Sequence, residues 1–250
     1  MSDSSFSSWP PGSAEENFEV ACSFLGWGDP GNAGSPGIWF VGLEEGGEAW
    51  TEETVAKYRS HVSRDYVFEV ANETPEPGSG SVDSWMSKIA CSFSSRYAGR
   101  GWRDAWREYK ANVLWRAGSA ACLTNRYPLG KPRLGDWPTY YKRLFGFGVG
   151  PRERRAYREA TYAKRFPKIR ARWFECSPQA TICFGESGWS DFRRLFELDE
   201  HPAVGRVCTY AEQRILLIPF LGPAGPKGPM SHKIVDAIVD ELRKWSVRLP

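Results

Sequence analysis

The chain has 250 residues, near the upper end of what one hydrophobic core supports, and the 41% that are hydrophobic suffice to bury a sizeable one. No run approaches the roughly 18 apolar residues of a membrane span, so an integral membrane helix is excluded. The formal net charge of +3 hides an asymmetry: residues 1–80 carry 14 acidic and 3 basic side chains, and residues 81–250 carry 16 and 30. A basic half of this kind points to a polyanionic partner, nucleic acid first.

In chain order, residues 1–17 are rich in Ser, Pro and Gly and read as a disordered lead. Residues 18–250 read as a single domain. A first helix is expected over 18–27, and a Gly/Pro loop over 28–37. Ile38 to Val41 reads as a buried strand, followed by a glycine-flanked acidic turn from Gly42 to Gly47. Thr51 caps a helix through Val62, with Glu52 and Glu53 in the favoured first turn. Residues 72–81 form a loop, and helices follow over Ser84 to Phe93 and Trp102 to Asn112. Ala117 to Thr124 reads as a strand. A basic run from Lys142 to Arg172, interleaved with Tyr157, Tyr162 and Phe166, reads as two helices, Pro151 to Phe166 and Ile169 to Cys176. Its expected role is a phosphate-binding face. Ala180 to Phe184 and Ile215 to Ile218 complete the expected strands, and Ser231 caps the last helix. Strands alternating with helices predict an α/β fold, a three-layer α/β/α arrangement around a short central, mainly parallel, four-stranded sheet.

No leader of basic and then apolar residues opens the chain, and the six cysteines (22, 91, 122, 176, 183 and 208) form no CxxC. The expectation is a cytoplasmic monomer with reduced, buried thiols and neither metal nor organic cofactor. GxxxxGK[ST], GxGxxG after a strand, HxE and PCxxC are all absent, which argues against the common nucleotide-binding folds and the zinc deaminases.

Parallel sheets collect functional groups at the carboxyl ends of their strands. Three such ends are informative: Ile38-Trp39-Phe40-Val41-Gly42-Leu43-Glu44-Glu45-Gly46-Gly47, Leu123-Thr124-Asn125-Arg126-Tyr127-Pro128, and Leu217-Ile218-Pro219-Phe220-Leu221-Gly222-Pro223. Between the last two, Thr181 to Phe184 leads through Gly185, Glu186 and Ser187 into a helix. This order, over roughly residues 36–245, resembles the uracil-DNA glycosylase superfamily. The resemblance implies a base flipped out of DNA and hydrolysis of its N-glycosidic bond, leaving an abasic site. By position it makes Glu44 the group that orients the attacking water, with Glu45 second. A carboxylate there also stabilises oxocarbenium character on the sugar. Asn125 would read the base, with Gly42, Leu43, Gly46 and Phe220 around it. Arg126, Lys131, Gly185, Glu186, Ser187, Lys227 and Ser231 would contact the DNA backbone, and Leu221 or Met230 would wedge the stack. Trp50, Tyr66 and Phe68 are unranked candidates for stacking on the flipped base.

The chain departs from that family's pattern in two places. Phe220 and Leu221 stand where many members have a His-Pro-Ser-type motif, leaving His232 as the substitute. Gly46 stands where the strictest uracil enzymes place a tyrosine against substituents at C5 of the pyrimidine. Together with aromatic-rich inserts and 12 tryptophans, the open C5 side suggests a bulky modified pyrimidine. An offshoot of the superfamily removes glucosylated hydroxymethylcytosine from phage DNA as antiviral defence, and the departures are compatible with that role. The alternatives are a conventional uracil or damaged-pyrimidine repair enzyme, and a non-catalytic DNA-binding protein on the same fold. No lysine is singled out as an imine-forming nucleophile, so monofunctional hydrolysis is expected.

Overall fold

The structure is a computed structural model that describes residues 12–46, 49–63, 67–70, 81–131, 136–200, 206–222 and 230–250, with backbone alone at 44–46 and 81. In chain order the elements are α1 (Ala14–Ser23), β1 (Gly26–Gly28), β2 (Gly31–Asn32), β3 (Ser35–Pro36), β4 (Ile38–Gly46), α2 (Glu52–Val62), β5 (Phe68–Glu69), α3 (Ser81–Ala90), α4 (Trp102–Asn112), β6 (Ala121–Lys131), α5 (Tyr141–Phe145), α6 (Pro151–Cys176), β7 (Ala180–Phe184), α7 (Trp189–Phe196), β8 (Cys208–Tyr210), β9 (Ile215–Ile218) and α8 (His232–Lys244). The chain divides into two compact units: Met1–Leu25, Glu44–Val67 and Tyr127–Lys168, and Gly26–Leu43, Phe68–Arg126 and Ile169–Pro250.

The second unit is built on a mixed sheet of seven strands among the described residues, in the order β5-β1-β6-β4-β7-β9-β8. The four strands expected from sequence are its four contiguous central members. Of these, β4, β7 and β9 run parallel, with Val41 opposite Cys183 and Cys183 opposite Leu217. β7 and β9 are buried at every residue, which is why they read as unbroken apolar runs. The three further strands are short edge pieces: β8 is antiparallel to β9, β1 is antiparallel to β6, and β5 is parallel to β1. The sheet is therefore wider than four strands and mixed. Ile38, Phe40, Ile182, Leu216 and Ile218 share one core with Trp85, Met86 and Ile89 of α3, Tyr109 of α4, and Ile238 and Leu242 of α8.

The first unit packs α1 against α2 and α5. Asn17 is buried and joins all three: its Nδ2 donates to the Leu144 carbonyl at 3.0 Å, and its Oδ1 accepts from Arg59 at 2.7 Å. The carbonyls at the end of α1 lack helical partners. Arg165 of α6, 2% exposed, supplies them, donating to Ala21, Cys22, Phe24 and Leu25 at 2.6–3.3 Å.

Several boundaries differ from the sequence reading. α1 begins at Ala14, because Ser13 and Glu16 form a reciprocal capping box there; residues 1–11 of the expected lead lie outside the description. β4 continues through Gly46 rather than turning at Gly42. α6 runs unbroken through Pro167 rather than splitting there. α2 and α8 start where expected, at the Thr51 and Ser231 caps. All six cysteines are buried, and none forms a disulfide. No helix among the described residues is long and apolar enough to cross a membrane.

Candidate active site

At the carboxyl ends of the parallel strands, Gly42 lies in β4, Phe184 closes β7, and Phe220 follows β9 by two residues. A methyl group on Gly42 would collide with the Asn125 side-chain oxygen and would lie 2.8 Å from Cζ of Phe184. The glycine therefore makes room for the Asn125 carboxamide, which is 6% exposed. The Phe184 ring is buried, and its centroid lies 6.1 Å from that of Phe220, which is 41% exposed. The Asn125 carboxamide, the Gly42 backbone and the Phe184 ring thus pack together, with Phe220 beside them. A carboxamide can read the edge of a planar heterocycle, and of the two rings Phe220 is the one open to solvent.

One turn away, Leu43 fills the space over Gly185 and Gly188. Gly185 has φ +114, and a Cβ there would lie 2.6 Å from Cγ of Leu43, so both conformation and space demand glycine. Glu186 and Ser187 are exposed in the turn that follows, with Glu186 paired to Arg206 at 3.2 Å. Beyond β9, the Trp85 indole donates to the Gly222 carbonyl at 2.7 Å, and the Gly222 amide donates to Phe220 at 2.8 Å. His232 is exposed at the start of α8, behind the exposed cap Ser231, edge-on to Trp102 at 5.1 Å and to Trp85 at 6.2 Å. Trp85 thus connects His232 to the segment carrying Phe220. Neither Phe184 nor Trp85 is singled out by the sequence reading. Phe184 closes a strand whose following glycine is, so its position was available; nothing in the sequence signals the Trp85 contact.

Several other expected residues are buried or already engaged. Arg126 is 7% exposed, pairs with Asp191 at 2.8 Å and covers the Phe192 ring, so its charge serves the fold rather than a phosphate. Lys131 is 9% exposed, with its ammonium 5.2 Å from the Trp137 ring centroid. Leu221 and Met230 are core residues and cannot wedge a base stack. Trp50 and Phe68 are buried as well and offer no face to a flipped base. Tyr66 and Lys227 lie outside the described residues. The backbone of Glu44, Glu45 and Gly46 ends β4, and their side chains lie outside the description.

The basic run is largely neutralised within the chain. Lys142 pairs with Glu153, Lys164 and Lys168 with Glu19, Arg170 with Glu197 and Arg172 with Glu175. Lys168, above all by its hydrogen bond, holds the Glu19 carboxyl below the usual carboxylate range. Arg152, Arg155 and Arg158, at three-residue spacing on α6, are exposed with no carboxylate partner among the described residues. A cleft of about 290 Å³ between α4 and α8 is lined by Arg100, Arg103 and Arg243, but each is paired, with Glu108, Asp236 and Asp240 respectively. No group of three or more metal-ligating side chains occurs among the described residues.

No protein-family model matches the chain, and no curated protein matches it.

Proposed function

We propose that this chain is a DNA glycosylase of the uracil-DNA glycosylase type, in which the mixed sheet is the centre of a three-layer α/β/α domain. It takes a flipped pyrimidine at the carboxyl ends of β4, β7 and β9 and hydrolyses its N-glycosidic bond. The observation that carries the reading is the Asn125 carboxamide set against the bare Cα of Gly42, with Phe184 beside it. Asn125 reads the base edge and Phe220, the exposed ring, stacks on it. Glu44, two residues after Gly42, orients the water that attacks the anomeric carbon. His232 is the group available to meet negative charge on the departing base. Arg152, Arg155 and Arg158 carry the backbone contacts, in place of Arg126. Gly46 leaves the C5 side open, which favours a bulky C5-modified pyrimidine, glucosylated hydroxymethylcytosine in phage DNA, over uracil. The chain acts in the cytoplasm as a monomer and needs no cofactor.

The test is to incubate wild type and Glu44→Gln with uracil-containing, hydroxymethylcytosine-containing and fully glucosylated DNA, and to count alkali-labile sites. Sites in the glucosylated DNA alone, made by wild type alone, support the whole reading. Sites in uracil DNA alone move the substrate to a repair function. No sites in any of them, with DNA still bound, leave a binding protein on the same fold.

A further inference from the structure

Lys88 of α3 is an unusual lysine. Its side chain is nine-tenths buried, at 9% exposure, yet no carboxylate pairs with it among the described residues. Lysines are almost never buried without a partner. Here the ammonium faces two indole rings, with Nζ 3.7 Å from the centroid of Trp85 and 4.8 Å from that of Trp106. The Arg107 guanidinium lies 4.7 Å from the same Trp106 ring. Burial, and then the charge of Arg107, hold the Lys88 amine below the ordinary lysine range. Several other charged groups of the two helices are engaged elsewhere. Lys110 is turned to Ser84 at 3.1 Å, Glu108 is engaged by Arg100, and Arg103 is engaged by Asp236. The half-buried Asp83 carboxyl is raised by its own burial, and it is Lys110 that draws it down.

Two cations therefore share one indole, with no carboxylate paired to Lys88 among the described residues. Cation–π contacts favour the charged amine, but they do not supply the hydrogen-bond acceptors that an ammonium and a guanidinium both require. A tetrahedral oxyanion does. It offers several acceptors at once, to a point charge from Lys88 and a planar fork from Arg107. Alternating rings and cations are also the composition of surfaces that track a nucleic-acid strand, where bases or sugars rest on the rings and phosphates on the charges. The series leads back towards the candidate site, because Trp85 meets both His232 and the Gly222 carbonyl.

We propose that Lys88 and Arg107, on the α3–α4 face, bind one backbone phosphate of the DNA strand, with Trp106 as the ring against which the neighbouring sugar or base rests. The proposal rests on the DNA reading above. It adds a contact surface outside the basic run of α6.

The test is the affinity of the full chain for a labelled duplex oligonucleotide, followed by fluorescence anisotropy over roughly 50 to 200 mM salt. Lys88→Met and Arg107→Gln are each compared with wild type. Removing one phosphate-binding cation lowers the slope of log K against log salt by about 0.9. A decrease of up to that amount is expected for each variant, because the two cations share one phosphate. Arg107 is exposed, so its variant remains informative if Lys88→Met does not fold. An unchanged slope in folded Arg107→Gln overturns the proposal while leaving the DNA reading in place. Wild type that binds no DNA overturns both. A final arm titrates inorganic phosphate and follows the Lys88 side-chain resonances. Saturation by phosphate that the oligonucleotide does not reverse assigns the site to a free anion and overturns the strand contact.

Discussion

Replacing Gly42 by alanine tests the core of the candidate site with a single methyl group. The new Cβ would overlap the Asn125 side-chain oxygen and lie 2.8 Å from Phe184 Cζ. Neither neighbour can swing into solvent, since Asn125 is 6% and Phe184 3% exposed. Overpacking of this kind costs about 1–3 kcal/mol. At roughly 2–4 °C per kcal/mol for a chain of this size, the midpoint of thermal unfolding should fall by roughly 2 to 12 °C. The penalty should be smaller in an Asn125→Ala background, where the oxygen is gone and only the Phe184 contact remains. A double-mutant cycle by urea denaturation should therefore give a coupling on the order of 0.5–3 kcal/mol. Base release should drop further than stability alone explains, because a displacement of about 1 Å in a positioning group costs on the order of 100-fold. If Gly42→Ala is as stable as wild type and additive with Asn125→Ala, the carboxamide does not occupy the space assigned to it.

Arg126→Ala breaks the ion pair with Asp191 where the side chains are only 9% and 18% exposed, so it should lose about 3–5 kcal/mol in urea denaturation. Replacing both partners with apolar residues should restore most of that loss. Arg165→Lys cannot span the four carbonyls at the end of α1, and at about 1–3 kcal/mol per unsatisfied group it should lose at least ~2 kcal/mol. Burial pushes the Cys22 and Cys91 thiols from the ordinary 9.0 up to about 12. Both should resist iodoacetamide at neutral pH until the chain is unfolded. Their folded values lie above the unfolded ones, so this contribution to stability is complete below about pH 8.5 and is lost as pH rises towards 12; denaturation midpoints from pH 7 to 11 check the sign. Replacing Arg152, Arg155 and Arg158 by glutamine should flatten the salt dependence of DNA binding by about 2.7, at about 0.9 per contact. Arg170→Gln, whose charge already answers Glu197, should leave that slope unchanged.

What the sequence made legible was governed by local pattern. Ala180 to Phe184 and Ile215 to Ile218 are buried at every position, so apolarity alone marks them. Thr51 and Ser231 act as caps within three residues of themselves, a range over which sequence and contact coincide. The edge strands escaped notice because Gly26–Gly28 and Phe68–Glu69 are too short to show a period, and their order comes from pairing with distant strands. The glycines at 42, 46 and 47 suggested a turn, whereas Gly42 serves side-chain room inside a strand. Arg126 looks like a phosphate ligand because its charge is visible in the sequence and its partner is not. Asp191, 65 residues on from Arg126, decides the role of that arginine. Asn125 and Gly42 are adjacent in space, but each lies inside its strand, β6 and β4, rather than at its end.

The central claim is chemical, and its most direct measurement is the detection of released base. Purified chain is incubated with glucosylated phage DNA and, separately, with uracil-containing DNA, and the small-molecule fraction is analysed by mass spectrometry. The proposed chemistry yields free glucosylated hydroxymethylcytosine from the first DNA, loses that product in Glu44→Gln, and releases little uracil from the second. Intact DNA with no free base in either incubation, from protein shown to be folded and bound to DNA, would contradict it.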